Sequence, residues 1–64
     1  MKNVIKEKRK ERGLSQIELA PKCGVSRQTV NAIENDKYDP TLSLAFRLAN
    51  QLQTTVDDLF YPGQ

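Results

Sequence analysis

The sequence predicts an all-α domain of five short helices. Three observations carry this: a helix start or stop signal stands at every candidate boundary, no segment alternates apolar and polar residues as a half-buried strand does, and apolar residues recur at helical spacing. The 64 residues suffice for one domain. A chain of this size buries only about 60% of its unfolded surface, so its stability leans on good caps or on a partner. Cys23 is the only cysteine and there is no histidine, which excludes a disulfide and the usual Cys/His zinc sites.

The first helix is expected from Asn3, as N-cap, to Arg12, with Gly13 in the left-handed conformation after its end. Its apolar content is thin: Val4, Ile5 and the aliphatic stems of Lys8, Arg9 and Arg12. The second helix starts at Ser15, where Glu18 three residues on completes a capping box and Leu14 with Leu19 has the spacing of a hydrophobic staple. Gln16, Leu19, Ala20 and Cys23 share one of its faces, and Gly24 stops it. The third helix begins two residues later at Ser26, with Val25 and Val30 as a second staple. Two short helices joined by so tight a glycine turn form a helix-turn-helix. A polar loop from Glu34 to Pro40 follows. The fourth helix begins at Thr41, or at Pro40 with Asp39 as cap, and ends near Leu52. The fifth is short, capped by Thr55, with Asp57 and Asp58 in the first turn where the helix dipole favours anions. Residues 61–64 are expected as a C-terminal tail.

Charge is unevenly spread. Residues 1–12 hold Lys2, Lys6, Lys8, Arg9, Lys10 and Arg12 against Glu7 and Glu11, whereas residues 38–64 hold Arg47 against Asp39, Asp57 and Asp58. This suits a first half that approaches a polyanion, and equally a solvated first helix. No apolar run approaches the roughly 20 residues of a membrane span, and no signal peptide is recognisable, so the chain is expected in the cytoplasm.

The third helix is the most informative segment. On a helical wheel Val30 and Ile33 point one way, Gln28, Asn31 and Ala32 point the other, and Arg27 lies at the edge. The outward face therefore carries Arg, Gln, Asn and one small residue, with no carboxylate. Arginine matches the major-groove edge of guanine, and Gln or Asn that of adenine, each good pair worth about 1–3 kcal/mol of discrimination. Ala32 suits a thymine methyl or simply permits close approach. Ser26 and Thr29 flank this face as candidate phosphate contacts. Gln16, at the start of the second helix, is either a phosphate contact or a plain surface residue. Lys37 and Tyr38 follow in the loop, Tyr38 either contacting the DNA backbone or packing over the core edge. Glu34 falls between core and solvent, where an ion pair with Arg9 would tie the first helix to the third.

The runs Ser15-Gln16-Ile17-Glu18-Leu19-Ala20 and Gly24-Val25-Ser26-Arg27-Gln28-Thr29-Val30, then Ile33-Glu34, Pro40 and Leu48-Ala49, closely resemble the phage-repressor and Cro (Xre-type) helix-turn-helix family. The likeness spans about Ile5 to Phe60. It implies a compact five-helix, lambda-repressor-like DNA-binding domain occupying residues 1–64, its helix-turn-helix unit at about 15–35. It also implies base contacts from Arg27, Gln28 and Asn31, phosphate contacts from Gln16 and Thr29, and the Arg9–Glu34 pair. Small stand-alone members act as dimers on double-stranded DNA, usually as repressors.

Two positions depart from the family pattern. Lys8 stands where an apolar residue is usual, which weakens the packing of the first helix and leaves the N-terminus loose. Pro21 lies inside the second helix, removes the bond to the Ile17 carbonyl and costs about 3 kcal/mol in a regular interior, so a kink or early fraying is expected.

Leu42, Phe46, Phe60 and Tyr61 supply an apolar edge for a homodimer, or else close the core of a monomer. Enzymatic function is not expected: there is no histidine or phosphate-binding glycine loop, and the adjacent Asp57 and Asp58 diverge on a helix. Cys23 reads as a small buried hydrophobe. No cofactor, metal or small-molecule ligand is expected. The competing reading is the same fold serving as an antitoxin or protein-interaction module.

Overall fold

A computed structural model describes residues 1–61. Five helices run in the order α1 (Ile5–Glu11), α2 (Gln16–Lys22), α3 (Arg27–Glu34), α4 (Leu42–Gln51) and α5 (Val56–Leu59). Two two-residue strands bracket them, β1 (Lys2–Asn3) and β2 (Phe60–Tyr61), paired antiparallel with Lys2 opposite Tyr61 and Asn3 opposite Phe60. This bridge corrects the strand-free expectation. Two residues are too few to show a period-two pattern, so only long-range pairing creates it.

Four helices start as their side chains dictate. Ser15, Ser26, Thr41 and Thr55 sit in extended backbone, and each hydroxyl accepts the N–H three residues on. At Ser15 the Glu18 carboxylate also accepts the Ser15 N–H at 2.8 Å, which completes the capping box. The first helix differs. Val4 occupies its N-cap and offers no side-chain acceptor; Asn3, expected there, lies in β1 and accepts the Ile5 N–H from outside the helix at 3.1 Å.

Four helices also end alike. After α1 the Leu14 N–H reaches the Arg9 carbonyl and the Gly13 N–H that of Lys10. Val25 and Gly24 repeat this pair of bonds after α2, Lys37 and Asp36 after α3, and Thr54 and Gln53 after α4. Each is a Schellman motif, which needs one left-handed residue. Gly13 and Gly24 take φ of 68° and 73°; Asp36 and Gln53 take 61° and 53° without being glycine.

The core gathers Ile5, Leu19, Ala20, Cys23, Val30, Ile33, Leu44, Ala45, Leu48, Ala49, Leu52, Leu59 and Phe60, with Val4, Leu14, Val25 and Val56 packed at its margin. Cys23 is buried and free, and desolvation pushes its thiol pKa up. Three expectations at the ends of the chain are corrected. The N-terminus is held by the β1–β2 bridge and by a Val4 N–H bond to the Leu59 carbonyl, so the half-buried Lys8 does not leave it loose. Phe60 is only 7% exposed, turned into the core by the same bridge rather than left on an edge. Tyr61 is the second residue of β2 and not the start of a tail; the tail expected at 62–64 lies outside the described residues.

Pro21 is tolerated. Helix α2 continues through it to Lys22, with no early fraying, and the Cys23 N–H still reaches the Leu19 carbonyl at 3.2 Å. The Ile17 carbonyl that loses its partner sits on the exposed side, because Ile17 and Pro21 both face solvent. An exposed carbonyl is open to solvent in place of the missing N–H.

Candidate nucleic-acid interface

Helix α3 is gripped from behind and open in front. Val30 and Ile33 are buried to within 1% of complete, while Arg27, Gln28 and Asn31 are exposed. Ala32 is half-buried at the flank of this face. No acidic residue occupies the first turn, so the positive end of the helix dipole opens to solvent without a carboxylate over it. At that end the Ser26 hydroxyl accepts the Thr29 N–H and shares a hydrogen bond with the Thr29 hydroxyl at 3.1 Å. Whichever hydroxyl donates, the other keeps a free hydrogen for an incoming oxygen. Lys37 and Tyr38 are both exposed in the following loop, so Tyr38 does not pack over the core.

The carboxylate at the far end of α3 is neutralised inside the protein. Arg9 Nε donates to Glu34 Oε2 at 2.8 Å and Nη2 to Oε1 at 3.1 Å, a bidentate pair whose side chains are 9% and 4% exposed. The remaining Arg9 nitrogen donates to the Leu14 carbonyl at 2.9 Å. The hydrogen bonds to Glu34 raise the Arg9 pKa against the opposing effect of burial. Glu34 therefore brings no net charge to the face, and Arg9 locks α1, the α1–α2 turn and α3 into one frame.

Gln16 departs from the sequence expectation. Its Nε2 donates to Glu34 Oε1 at 3.0 Å and to Asn31 Oδ1 at 3.2 Å, which uses both amide hydrogens. What the amide has left is a carbonyl oxygen, which cannot hold a phosphate. Asn35 approaches Asn31 from the other side, donating to its carbonyl at 2.8 Å and to its Oδ1 at 3.2 Å.

Two further residues hold the frame and were invisible as such in the sequence. Asn3 Nδ2 donates to the Ile33 carbonyl at 2.9 Å, so one side chain serves the end of α3 and the start of α1. Arg47, exposed on α4, donates from Nη1 to the Cys23 carbonyl at 2.9 Å and from Nη2 to the Ser43 hydroxyl at 3.1 Å. A Cβ on Gly24 would lie 3.1 Å from that Nη1, a tight approach that adds to the left-handed φ in favouring glycine at this turn. Polar side chains reaching carbonyls 24 or 30 residues away carry no sequence signature.

A sequence profile described as helix-turn-helix matches residues 5–59. The chain belongs to the Xre-type helix-turn-helix family of transcriptional regulators. This regulator is 50% identical over 60 residues to an HTH-type transcriptional regulator of Methanocaldococcus jannaschii, covering 94% of this chain and 91% of that one. It is 46% identical over 48 residues to the immunity repressor protein of Bacillus phage phi105, covering 75% of this chain but 33% of the repressor. Among solved structures it resembles SinR in the SinR–SinI complex, with a TM-score of 0.75 and 34% identity, and spans about half of that chain (52%) while 81% of this one is covered. The same fold recurs in the hydroxypropylphosphonic acid epoxidase of S. wedmorenis, with a TM-score of 0.83 and 29% identity; 95% of this chain is covered but only 32% of that enzyme. The regulator's family is one of DNA-binding proteins, not enzymes. No helix among the described residues is long and apolar enough to cross a membrane.

Proposed function

We propose that this regulator is a cytoplasmic repressor that binds DNA as a homodimer, residues 1–64 of each copy forming one DNA-binding domain. Each copy inserts α3 into one of two successive major grooves of a pseudo-palindromic operator, with half-sites roughly 34 Å apart. The observation that carries this is the exposed, carboxylate-free Arg27–Gln28–Asn31 face on a helix whose opposite side is fixed by the core and by the Arg9–Glu34 pair. Arg27, Gln28 and Asn31 meet base edges, and the Ala32 methyl lies against the groove beside them. The Ser26 and Thr29 hydroxyls, Lys37 and Tyr38 take phosphates. Bound at a promoter, the dimer excludes polymerase.

The second copy is expected on the apolar face of α4, where Leu42 and Phe46 are 69% and 54% exposed. Leu42 lines an open groove of about 280 Å³ together with Met1, Ala45, Val56 and Phe60 among others, and Tyr61 is exposed next to Phe60 in sequence. Sedimentation at micromolar concentration should return twice the chain mass, and Leu42→Lys with Phe46→Lys should return a monomer that has lost most of its operator affinity. A second reading, in which this face takes a different protein, draws on SinR having been solved in complex with SinI. A monomer with and without DNA would favour it over the homodimer.

Selection of bound duplexes from a random library tests the reading as a whole. A two-fold symmetric motif is the expected result, lost when Arg27, Gln28 and Asn31 are all alanine. Binding that depends only on salt, without sequence preference, would overturn it.

A further inference from the structure

We propose that Gln16 and Asn35 convert Asn31 into a donor-only reader, so that Asn31 selects guanine and rejects adenine. The inference rests on the reading above, that Asn31 faces base edges.

An asparagine amide ordinarily presents one acceptor and one donor, which matches the N6 donor and N7 acceptor of adenine. In this molecule the acceptor is already occupied. Asn31 Oδ1 takes a hydrogen bond from Gln16 Nε2 and another from Asn35 Nδ2, each at 3.2 Å, which fills both of its lone-pair directions.

The orientations of the three amides follow from the chemistry of their partners. Gln16 must turn its nitrogen toward the Glu34 carboxylate, 3.0 Å away, because a carboxylate only accepts. Asn35 must turn its nitrogen toward the Asn31 carbonyl, 2.8 Å away, for the same reason. Both nitrogens then aim their second hydrogens at the Asn31 side chain, which can meet two donors only with its oxygen. The Asn31 nitrogen donates to none of the described residues, and the residue is exposed. Two hydrogens are what Asn31 has to offer a base.

Guanine presents two adjacent acceptors, N7 and O6, to such a group. Adenine would set its N6 hydrogens against a side chain with no acceptor left, and that donor would be stranded in a desolvated groove. Gln16 and Asn35 are thus positioning residues. Through Glu34 and Arg9, the orientation of a base reader is tied to a buried ion pair on the first helix.

Library selection with the wild-type chain and with Asn31→Ala locates the base pair that Asn31 reads, as the position at which preference disappears. Competition binding at that position should then favour guanine over adenine on the order of ten-fold in the wild type. Gln16→Ala combined with Asn35→Ala should cancel that preference or turn it toward adenine, with preferences at the other positions of the motif little changed; each single substitution should move it part of the way. Adenine as the wild-type choice, or a guanine preference unmoved in the double variant and both single variants, would overturn the inference while leaving Asn31 a reader. No position relaxed by Asn31→Ala would overturn the base-reading role itself, and this inference with it.

Discussion

Helices α2 and α3 carry their own instructions, whereas the anchoring and inner face of α1 depend on residues remote in sequence. The first pair begins at Ser15 and Ser26, whose hydroxyls accept N–H groups three residues on, and is separated by a turn whose left-handed step Gly24 takes without strain. The start of α1 has no cap of its own at Val4 and relies on Asn3, a strand residue anchored to the Ile33 carbonyl. Its one fully buried apolar residue is Ile5, and its inner face is completed by Arg9 reaching Glu34 on α3. The difference teaches where the stability of the reading helix comes from. Local signals make α3 a helix, but partners 25 and 30 residues away hold it in place.

The sharpest way to break this comparison is Arg9→Ala. It strands the Glu34 carboxylate, 4% exposed, without its counter-ion, and should destabilise the fold by about 3–5 kcal/mol in urea titration. The paired replacement Arg9→Met with Glu34→Leu should recover most of that loss, because two apolar groups of similar volume leave no buried charge.

Asn3→Ala comes next. It removes three hydrogen bonds at once, two at the end of α3 and one at the start of α1, and should cost about 1–2 kcal/mol. Amide exchange should quicken in α1 more than in α2, and equal acceleration of both would erase the difference between the two helices.

Ser15→Ala tests the locally specified side and should cost about 1 kcal/mol, less than either change at α1. The same capping box responds to acid. The Ser15 backbone N–H, then its hydroxyl, hold the Glu18 carboxyl below its ordinary pKa of 4.5. Its contribution is therefore complete above that value and fades as pH falls through the lower folded value. Melting curves of wild type and Glu18→Gln should differ at neutral pH and converge once the pH has fallen below the lowered folded value.

The smallest effect is expected at Gln53, which closes the α4 Schellman motif at φ 53° without being glycine. Gln53→Gly should stabilise by a few tenths to about 1 kcal/mol, as relief of the left-handed conformation outweighs the added freedom of the unfolded chain. Gly13→Ala, at φ 68° with open space around it, should change stability in the opposite direction.

What could be read in the sequence follows the same divide. Caps at Ser15, Ser26, Thr41 and Thr55, stops at Gly13 and Gly24, the inward set of Val30 and Ile33 and the exposed set of Arg27, Gln28 and Asn31 are all legible, because each depends on neighbours within four residues. The Arg9–Glu34 pair was also within reach, since a carboxylate at the edge of a helical wheel needs a partner and the first helix offered one. Phe60 misled for a physical reason. An aromatic residue near the chain end reads as surplus, and only its strand pairing with Asn3 turns it inward. Asp36 and Gln53 gave no sign of their left-handed backbone, since neither residue type requires it.

The third helix and its exposed face were therefore determined by the sequence alone, through caps, a glycine turn and helical periodicity. The tertiary structure decided what that face can say. Gln16, expected to reach outward to a phosphate, turns inward between Glu34 and Asn31, because the buried carboxylate needs donors and an amide can supply two. Periodicity assigns a side chain to a face; the hydrogen bonds it makes there depend on groups that only the folded chain brings together.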